Sequence, residues 1–285
     1  MISKAKKLRG LLGTERLIRA VGAHDGISAR LVEAAGFEAI WASSLGLSAS
    51  YAIPDAGVLT MTQSLDAAER IDAATSLPVI ADCDTGYGGP RNVEEMVRWY
   101  ERRRIAAVCI EDKVHPKTNS YADVAHPLVN IGEFVEKIRA GKDAQESSDF
   151  MLLARTEAFI AALPLHAALE RALAYADAGA DAILVHSRID SPDEILAFAE
   201  AWTMSVPLVA VPTTYNGIHE RDLSEAGIRI VIYANQLIRA QTMAARTMLD
   251  TLRTSGTASA VEKEIVRIGD LFALQDMGTT TWAPQ

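Results

Sequence analysis

The chain has 285 residues, of which 49% are hydrophobic and 23% are charged, a balance that predicts a globular protein with a large core. Its formal net charge of −9 argues against nucleic acid as a partner, because phosphate backbones require a basic face, but permits a local pocket for a small anion. No run of about 18 apolar residues occurs, so we expect a cytoplasmic protein without a membrane partner.

Short apolar runs alternate with amphipathic segments after an opening helix. Eight runs predict strands, at 16–24, 38–44, 77–84, 106–112, 150–157, 182–187, 207–213 and 228–235. The amphipathic segments predict helices at 25–36, 62–75, 92–103, 131–141, 164–179, 191–202 and 220–227. Gly36, Gly141, Gly179 and Gly227 end four of these segments, as expected at the end of a helix. Cys83 and Cys109 lie in apolar runs, which predicts buried thiols in a reducing compartment.

This alternation predicts a (β/α)8 barrel of the TIM type, and the absence of a glycine-rich dinucleotide motif after the first strand disfavours an open doubly wound sheet. A long helix at about 235–253 follows the eighth strand. A further helix is predicted at about 258–277. We therefore expect one barrel domain over residues 1–285, with the N-terminal and C-terminal helices outside the barrel. The apolar stripe of the last helix would cap the barrel or be exchanged with a neighbouring subunit.

Acidic side chains are concentrated where the third and fourth strands end, which is the functional face of such a barrel. Asp82 and Asp84 are two residues apart and point to one face, and Glu111 ends the next strand. Helix caps or salt bridges would explain any one of these acids. Three together would repel each other unless they held a cation, and oxygen ligands alone indicate Mg²⁺, with Mn²⁺ as an alternative.

Basic side chains end the fifth and sixth strands. Arg155 and His186 face the acids across the predicted barrel mouth, and this pair suits the binding of a phosphate or carboxylate. The alternative is that Arg155 pairs only with Glu157 and that His186 is an ordinary rim residue. The connection at 112–130 is longer than most strand-to-helix loops and contains cations and hydroxyls, so we predict a lid there.

Six motifs together resemble the phosphoenolpyruvate mutase branch of the isocitrate lyase superfamily, from about residue 20 to about residue 275. They are GAHDGISARLVEAAGFEAIWASSLGLSAS, ADCDTGYGG, EDKVHPKTNS, LLARTEAFIA, AGADAILVHS and VPTTY. The Lys-x-Cys-Gly-His loop of the superfamily's C–C lyases does not occur, which argues against isocitrate cleavage. The chain departs from the branch at His115, where an aromatic residue is usual, and at Ser44, where glycine is common.

The resemblance implies a role for each matching residue. Asp82 is similar to the direct Mg²⁺ ligand of the family, and Asp55, Asp84 and Glu111 are similar to the residues that hold the ligand waters. The pyruvyl part of the substrate would contact Trp41, Ser43, Ser44 and Leu45. The phosphoryl part would contact Asn119, Ser120, Arg155 and His186. Lys117 resembles the lysine of the family's lid.

The implied reaction interconverts phosphoenolpyruvate and phosphonopyruvate. Its nearest alternative is phosphonopyruvate hydrolysis, and in the enzyme that performs it a threonine resembles the replacement for Asn119. An oxaloacetate-type C–C lyase or hydrolase and a non-catalytic barrel that binds phosphorylated metabolites are further alternatives. The resemblance also implies a homotetramer built from two helix-swapped dimers.

Overall fold

Eight parallel strands close into a barrel in the computed structural model, which describes residues 2–275. The strands follow one another around the barrel in chain order, and the first pairs with the eighth. The strands are β1 (Ile18–Ala23), β2 (Ala39–Ala42), β3 (Val79–Asp82), β4 (Ala107–Glu111), β5 (Met151–Thr156), β6 (Ala182–Val185), β7 (Leu208–Ala210) and β8 (Ile228–Tyr233). The predicted (β/α)8 barrel is confirmed, and the open doubly wound alternative is wrong.

Helices lie at each position predicted between the strands, and others precede β1 and follow β8. They are α1 (Lys4–Leu12), α2 (Gly26–Ala34), α3 (Ser44–Ser50), α4 (Met61–Ala74), α5 (Pro90–Arg102), α6 (Ile131–Ala144), α7 (Leu165–Asp177), α8 (Asp193–Ala201), α9 (Glu220–Glu225), α10 (Gln236–Ser255) and α11 (Ile268–Leu274). The short helix α3 was not predicted. It begins directly after β2, where the Ser43 hydroxyl accepts a hydrogen bond from the Gly46 amide at 3.2 Å.

The predicted helix ends are right for three glycines and wrong for one. Gly36, Gly179 and Gly227 have positive φ angles just after a helix, as a left-handed terminating residue requires. Gly141 instead lies inside α6. A Cβ there would lie 2.4 Å from the Leu152 side chain on β5, so this glycine permits close packing of helix on strand.

Two hydrophobic layers hold the barrel together. The outer layer lies between the strands and the surrounding helices. The inner layer fills the barrel and includes Trp41, Cys109 and Leu8 of α1, so the N-terminal helix lies against the barrel interior although it precedes the strand–helix repeat. Cys83 and Cys109 are buried free thiols, as predicted, and burial raises the pKa of both.

The C-terminal segment differs from the prediction of one helix over about 258–277. A single 3₁₀ turn forms at Ala258–Ala260, and α11 starts only at Ile268. The end of the predicted helix lies outside the described residues. Val266 and Ile268 are exposed, whereas Leu274 is buried, which agrees with helix formation depending on a surface to pack against. Exchange of this region between subunits stays a prediction. Among residues 2–275, no helix is long and apolar enough to cross a membrane.

Gly22 is a close-approach position that provides a test of the barrel closure. An alanine Cβ there would lie 2.0 Å from the backbone oxygen of Ala234, which follows β8. We expect Gly22→Ala to destabilise the barrel by about 3 kcal/mol or more, since overpacking against backbone cannot relax, and to lower the midpoint of thermal unfolding. Gly10→Ala is the matched control, because no heavy atom lies within 4 Å of its added Cβ and alanine favours a helix by about 1 kcal/mol. An unchanged midpoint for Gly22→Ala would contradict the close approach.

Candidate active site

A cavity opens at the carboxyl ends of the strands. It is lined by Trp41, Ser43, Ser44, Leu45, Asp55, Asp82, Lys117, Asn119, Ser120, Tyr121, Arg155, His186, Val211, Thr213, Ala234 and Asn235. The predicted substrate-binding residues are all among them. The two further residues predicted to hold the metal, Asp84 and Glu111, do not line the cavity and are buried. The structure therefore brings the predicted substrate-binding residues together in one cavity.

Lys117 of the lid connects the acidic residues on one side of the cavity. Its ammonium group lies 2.9 Å from Asp55 and 2.8 Å from Asp84, and it donates a hydrogen bond to the Ser44 hydroxyl at 3.0 Å. That hydroxyl in turn donates to Asp82 at 2.8 Å. Burial alone would raise the pKa of Asp55, but Lys117 and the amide of Asn119 outweigh it and lower that pKa. Asp55 is thus held as a carboxylate.

Two buried carboxylates behind the cavity, Glu111 and Asp84, have too few hydrogen-bond and ion-pair partners to balance their negative charge. Neither oxygen of Glu111 accepts a hydrogen bond, although Nε of Arg155 lies 3.2 Å from Oε2 of Glu111. Oδ1 of Asp84 has the ion pair with Lys117 at 2.8 Å as its one charged contact. Burial, only partly opposed by Arg155, raises the pKa of Glu111 to about 7. Burial also raises the pKa of Asp84. Such carboxylates gain from a nearby cation more than acids that are already hydrogen-bonded.

The donor set suits a hard divalent cation held largely through water. Within residues 2–275, no three carboxylate, imidazole or thiol groups are placed so that they could hold one metal ion together. The carboxylate oxygens that accept no hydrogen bond nevertheless fit Mg²⁺ as ligands, because Mg²⁺ commonly keeps several waters and uses only one or two carboxylates. Asp82, Asp84, Glu111 and Asp55 are the residues that would hold it, and these roles stay a prediction.

Glu157 organises the opposite, basic side of the site. Its carboxylate is fully buried. Oε1 lies 2.6 Å from Nε of Arg155 and 2.8 Å from Nδ1 of His186. Oε2 lies 2.8 Å from Nζ of Lys113 and accepts a hydrogen bond from the Ser120 hydroxyl at 2.6 Å. Burial alone would raise the pKa of Glu157, but its cationic neighbours outweigh burial and hold that pKa well below its usual range.

His186 is oriented by contacts on both ring nitrogens. Burial, reinforced by the Arg155 guanidinium, lowers the pKa of His186, so the ring is neutral near neutral pH. Nδ1 lies 2.8 Å from Oε1 of Glu157 and 2.8 Å from Nη2 of Arg155, and Nε2 lies 3.3 Å from the Tyr121 hydroxyl. The two rings meet edge to face with centroids 5.8 Å apart. Arg155 extends Nη2 to 3.3 Å from the hydroxyl of Ser120, so it lines the cavity as well as pairing with Glu157.

The lid is anchored at both ends and closed over the cavity. Its ends pair in antiparallel fashion, with the amide of Val129 donating to the carbonyl of Asp112 at 2.9 Å. The Asp112 carboxylate accepts hydrogen bonds from the Tyr175 hydroxyl at 2.7 Å and from the backbone amide of Glu157 at 2.8 Å. In the middle of the lid, the Asn119 amide donates to Asp55 at 2.6 Å. The lid thus carries Asn119 to the acidic side of the cavity.

Three residues that line the cavity or contact its lining side chains escaped the sequence analysis. Tyr121 directly follows two predicted lid residues, and this position is the only signal that could have found it. Glu157 was considered only as a partner of Arg155, although it contacts four side chains of the site. Lys113 was not considered, because a lysine after two acids resembles an ordinary solvated residue, whereas it is 1% exposed.

Known proteins with this architecture include two enzymes of related chemistry. A family model described as phosphoenolpyruvate phosphomutase matches residues 8–253. The structure of a phosphoenolpyruvate phosphomutase from Streptomyces platensis subsp. rosaceus has a TM-score of 0.95 and 46% identity, over 96% of this chain and 95% of that one. A phosphonopyruvate hydrolase structure with oxalate and Mg²⁺ has a TM-score of 0.91 and 42% identity over the same shares. The phosphonopyruvate hydrolase of Variovorax sp. (strain Pal2) is 43% identical over 276 residues, 96% of this chain and 95% of that relative.

These similarities extend over nearly the whole length of the chain and of its relatives. A structural relative holds Mg²⁺, which agrees with the hard oxygen donors at the barrel mouth. Mutase and hydrolase relatives are similarly close, so the comparisons define the family of enzymes and not the specific reaction. The chain belongs to the phosphoenolpyruvate phosphomutase family of the isocitrate lyase superfamily.

Proposed function

We propose that the chain is a phosphoenolpyruvate mutase, which interconverts phosphoenolpyruvate and phosphonopyruvate with Mg²⁺ or Mn²⁺ as its cofactor. The observation that carries this proposal is the position of Asn119. Its amide enters the cavity from the closed lid, donates to Asp55 at 2.6 Å and accepts from the backbone amide of Tyr121 at 2.9 Å. Both ends of the amide are therefore fixed, so the lid presents a rigid polar group where the transferred phosphoryl group would pass.

The two halves of the cavity suit the two halves of the substrate. The acidic half, with Asp82 and the serines at the start of α3, would receive the pyruvyl group and the metal. Mg²⁺ would supply positive charge where the enolate develops. The basic half offers Arg155, which lines the cavity and whose Nε is bound to Glu157. Fixed donors of this kind stabilise phosphoryl charge without reorganisation.

The proposed step consumes no water. In phosphonopyruvate the C–P bond breaks and its electron pair stays on the pyruvyl enolate, after which the enolate oxygen forms the new P–O bond of phosphoenolpyruvate. Arg155 would hold the phosphoryl group during this transfer, and the closed lid would exclude water from phosphorus. In the opposite direction, the same groups make the C–P bond.

Phosphonopyruvate hydrolysis is the second candidate, and the 43% identity to the hydrolase of Variovorax sp. (strain Pal2) favours it. There, water would attack phosphorus and a proton would reach the enolate carbon, giving phosphate and pyruvate. An oxaloacetate-type C–C cleavage has less support, because the family model that matches residues 8–253 is that of phosphoenolpyruvate phosphomutase. A non-catalytic role has the least support, given the family of enzymes to which the chain belongs.

A homotetramer of helix-swapped dimers is part of the proposal, as is a cytoplasmic location. The 20-residue helix α10 has no buried residue. Met243 and Leu249 are 62% and 60% exposed on it, so the single chain leaves apolar side chains of a long helix uncovered. A second copy of the chain would cover such a surface.

Phosphorus NMR of the purified protein with phosphonopyruvate and Mg²⁺ tests the reaction directly. We expect the phosphonate signal to be replaced by that of phosphoenolpyruvate, because the closed lid excludes water. Chelation of the metal should stop the change, and added Mg²⁺ or Mn²⁺ should restore it. Appearance of inorganic phosphate with pyruvate would establish the hydrolase, and no conversion of either compound would reject both reactions.

Asn119→Ala tests the residue that carries the proposal. We expect mutase turnover to fall by about 10²–10³-fold, the effect of removing one preorganised donor, while metal binding stays intact because Asn119 is not proposed as a ligand. Turnover is measured by NMR, and metal binding by titration with Mn²⁺ followed by electron paramagnetic resonance. Asn119→Thr should instead increase the fraction of phosphate formed. Loss of Mn²⁺ binding in Asn119→Ala would show that the assigned role is wrong.

A further inference from the structure

We propose that Lys113 is a positioning residue that makes lid closure and alignment of the Arg155–His186 pair a single event, through their shared partner Glu157. The coupling itself is a matter of contacts within the chain. Its effect on phosphoryl transfer rests on the proposed function.

Lys113 lies behind the cavity, at the start of the lid, and its ammonium group has three acceptors. The carbonyl of Thr118 lies 3.0 Å away, the hydroxyl of Ser120 lies 2.5 Å away and Oε2 of Glu157 lies 2.8 Å away. An ammonium group has three N–H donors, so the three acceptors match its full capacity. Two of these acceptors belong to the middle of the lid, and the third follows β5 in the barrel.

Because three acceptors surround the three N–H donors of Lys113, an open lid is unfavourable as long as Lys113 stays buried. If residues 118–120 moved away, the ammonium group would lose two of its three acceptors at a site where it is 1% exposed. Glu157 would lose the hydrogen bond from Ser120 at the same time. A buried charge that loses partners is strongly destabilised, so the closed lid and the complete contacts of Glu157 favour each other.

The same carboxylate aligns the groups that face the substrate. Its other oxygen binds Nε of Arg155 at 2.6 Å and Nδ1 of His186 at 2.8 Å. Because both oxygens belong to one planar group, fixing Oε2 from the lid side also fixes the direction of Oε1. Lys113 does not line the cavity, so it acts on the substrate through Glu157 and Ser120. Its ammonium group also lies 3.9 Å from Oε1 of Glu111, farther than from any of its three acceptors.

Lys117 has a different position, although it lies only four residues away. Its ammonium group contacts Asp55 and Asp84 on the acidic side. Two lysines of one lid thus join opposite sides of the cavity. Lys117 lines the cavity, and Lys113 holds the lid to the barrel from behind.

Lys113→Met tests the proposal, because methionine keeps most of the chain length without the ammonium group. We expect amide hydrogen exchange in the lid, residues 112–130, to become faster while exchange in the strands is unchanged. We expect kcat to fall by about 100-fold, the effect of displacing reacting groups by roughly 1 Å, with a smaller change in KM. Phosphorus NMR should show a larger fraction of phosphate, because water would reach the transferred group.

Two further variants make the result specific. Lys113→Gln keeps a donor and should recover part of both the lid protection and kcat, and it takes the place of Lys113→Met if that variant does not fold. Lys142→Met removes an ion pair with Asp181, 2.7 Å long, at the start of β6, at the opposite end of the strand from His186. It should leave lid exchange and product fractions unchanged.

Lid exchange and product fractions in Lys113→Met equal to those of the unmodified protein would overturn the proposal. So would an equal effect of Lys142→Met, since a general loss of stability would then explain both. Hydrogen exchange requires no turnover. An unmodified protein that converts neither phosphorus compound would therefore reject the proposed function, while the lid comparison would still decide whether Lys113 holds the lid.

Discussion

The site depends on the full compensation of one buried negative charge, the carboxylate of Glu157. Two cations, a neutral imidazole and a hydroxyl surround it within 2.8 Å. Moving an ion out of water costs several kcal/mol even after relaxation, and this cost is recovered only when geometry and partners are complete. The arrangement therefore has little tolerance for a missing partner. It stabilises a single conformation of the lid, of Arg155 and of His186 together. Under the proposed function, which requires water to be excluded, this fixed conformation matters more than a gain in the stability of the fold.

The barrel supplies the fixed points on which this compensation depends. Parallel strands bring their carboxyl ends to one rim, so residues far apart in sequence become neighbours. The carboxylate of Asp112, directly after β4, accepts hydrogen bonds from the backbone amide of Glu157 at 2.8 Å and from the hydroxyl of Tyr175 at 2.7 Å. It thereby fixes the backbone of Glu157 independently of the side-chain contacts. The apolar barrel interior and buried polar groups such as Asp112 hold the charged side chains of the barrel mouth in place. The lid then covers these side chains.

The sequence predicted what depends on periodicity and missed what depends on three-dimensional contacts. Strand ends could be located because apolar runs stop there, and this placed Asp82, Arg155 and His186 correctly in one cavity. Gly141 was misread because glycine is used both at helix ends and where a helix packs closely on a strand. Lys113 was overlooked because local sequence does not reveal burial. The helix expected at 258–277 failed over its first part because an amphipathic stripe gives a helix only where a surface receives it.

Similarity to two kinds of relative cannot separate mutase from hydrolase, and the geometry of the site explains why. Both reactions require an enolate to be stabilised and a phosphoryl group to be held, and Asp82 with its acidic neighbours and Arg155 with Glu157 would serve either one. The reactions differ only in which atom reaches phosphorus next. Under the proposed function, that choice would be made at the surface of the lid, where Asn119 and Tyr121 line the cavity, and it would involve few of the contacts that define the fold. A difference of about 1.4 kcal/mol between two competing barriers changes a product ratio tenfold. Identities of 46% and 43% describe the shared scaffold, whereas under the proposed function the order and closure of the lid would decide the product.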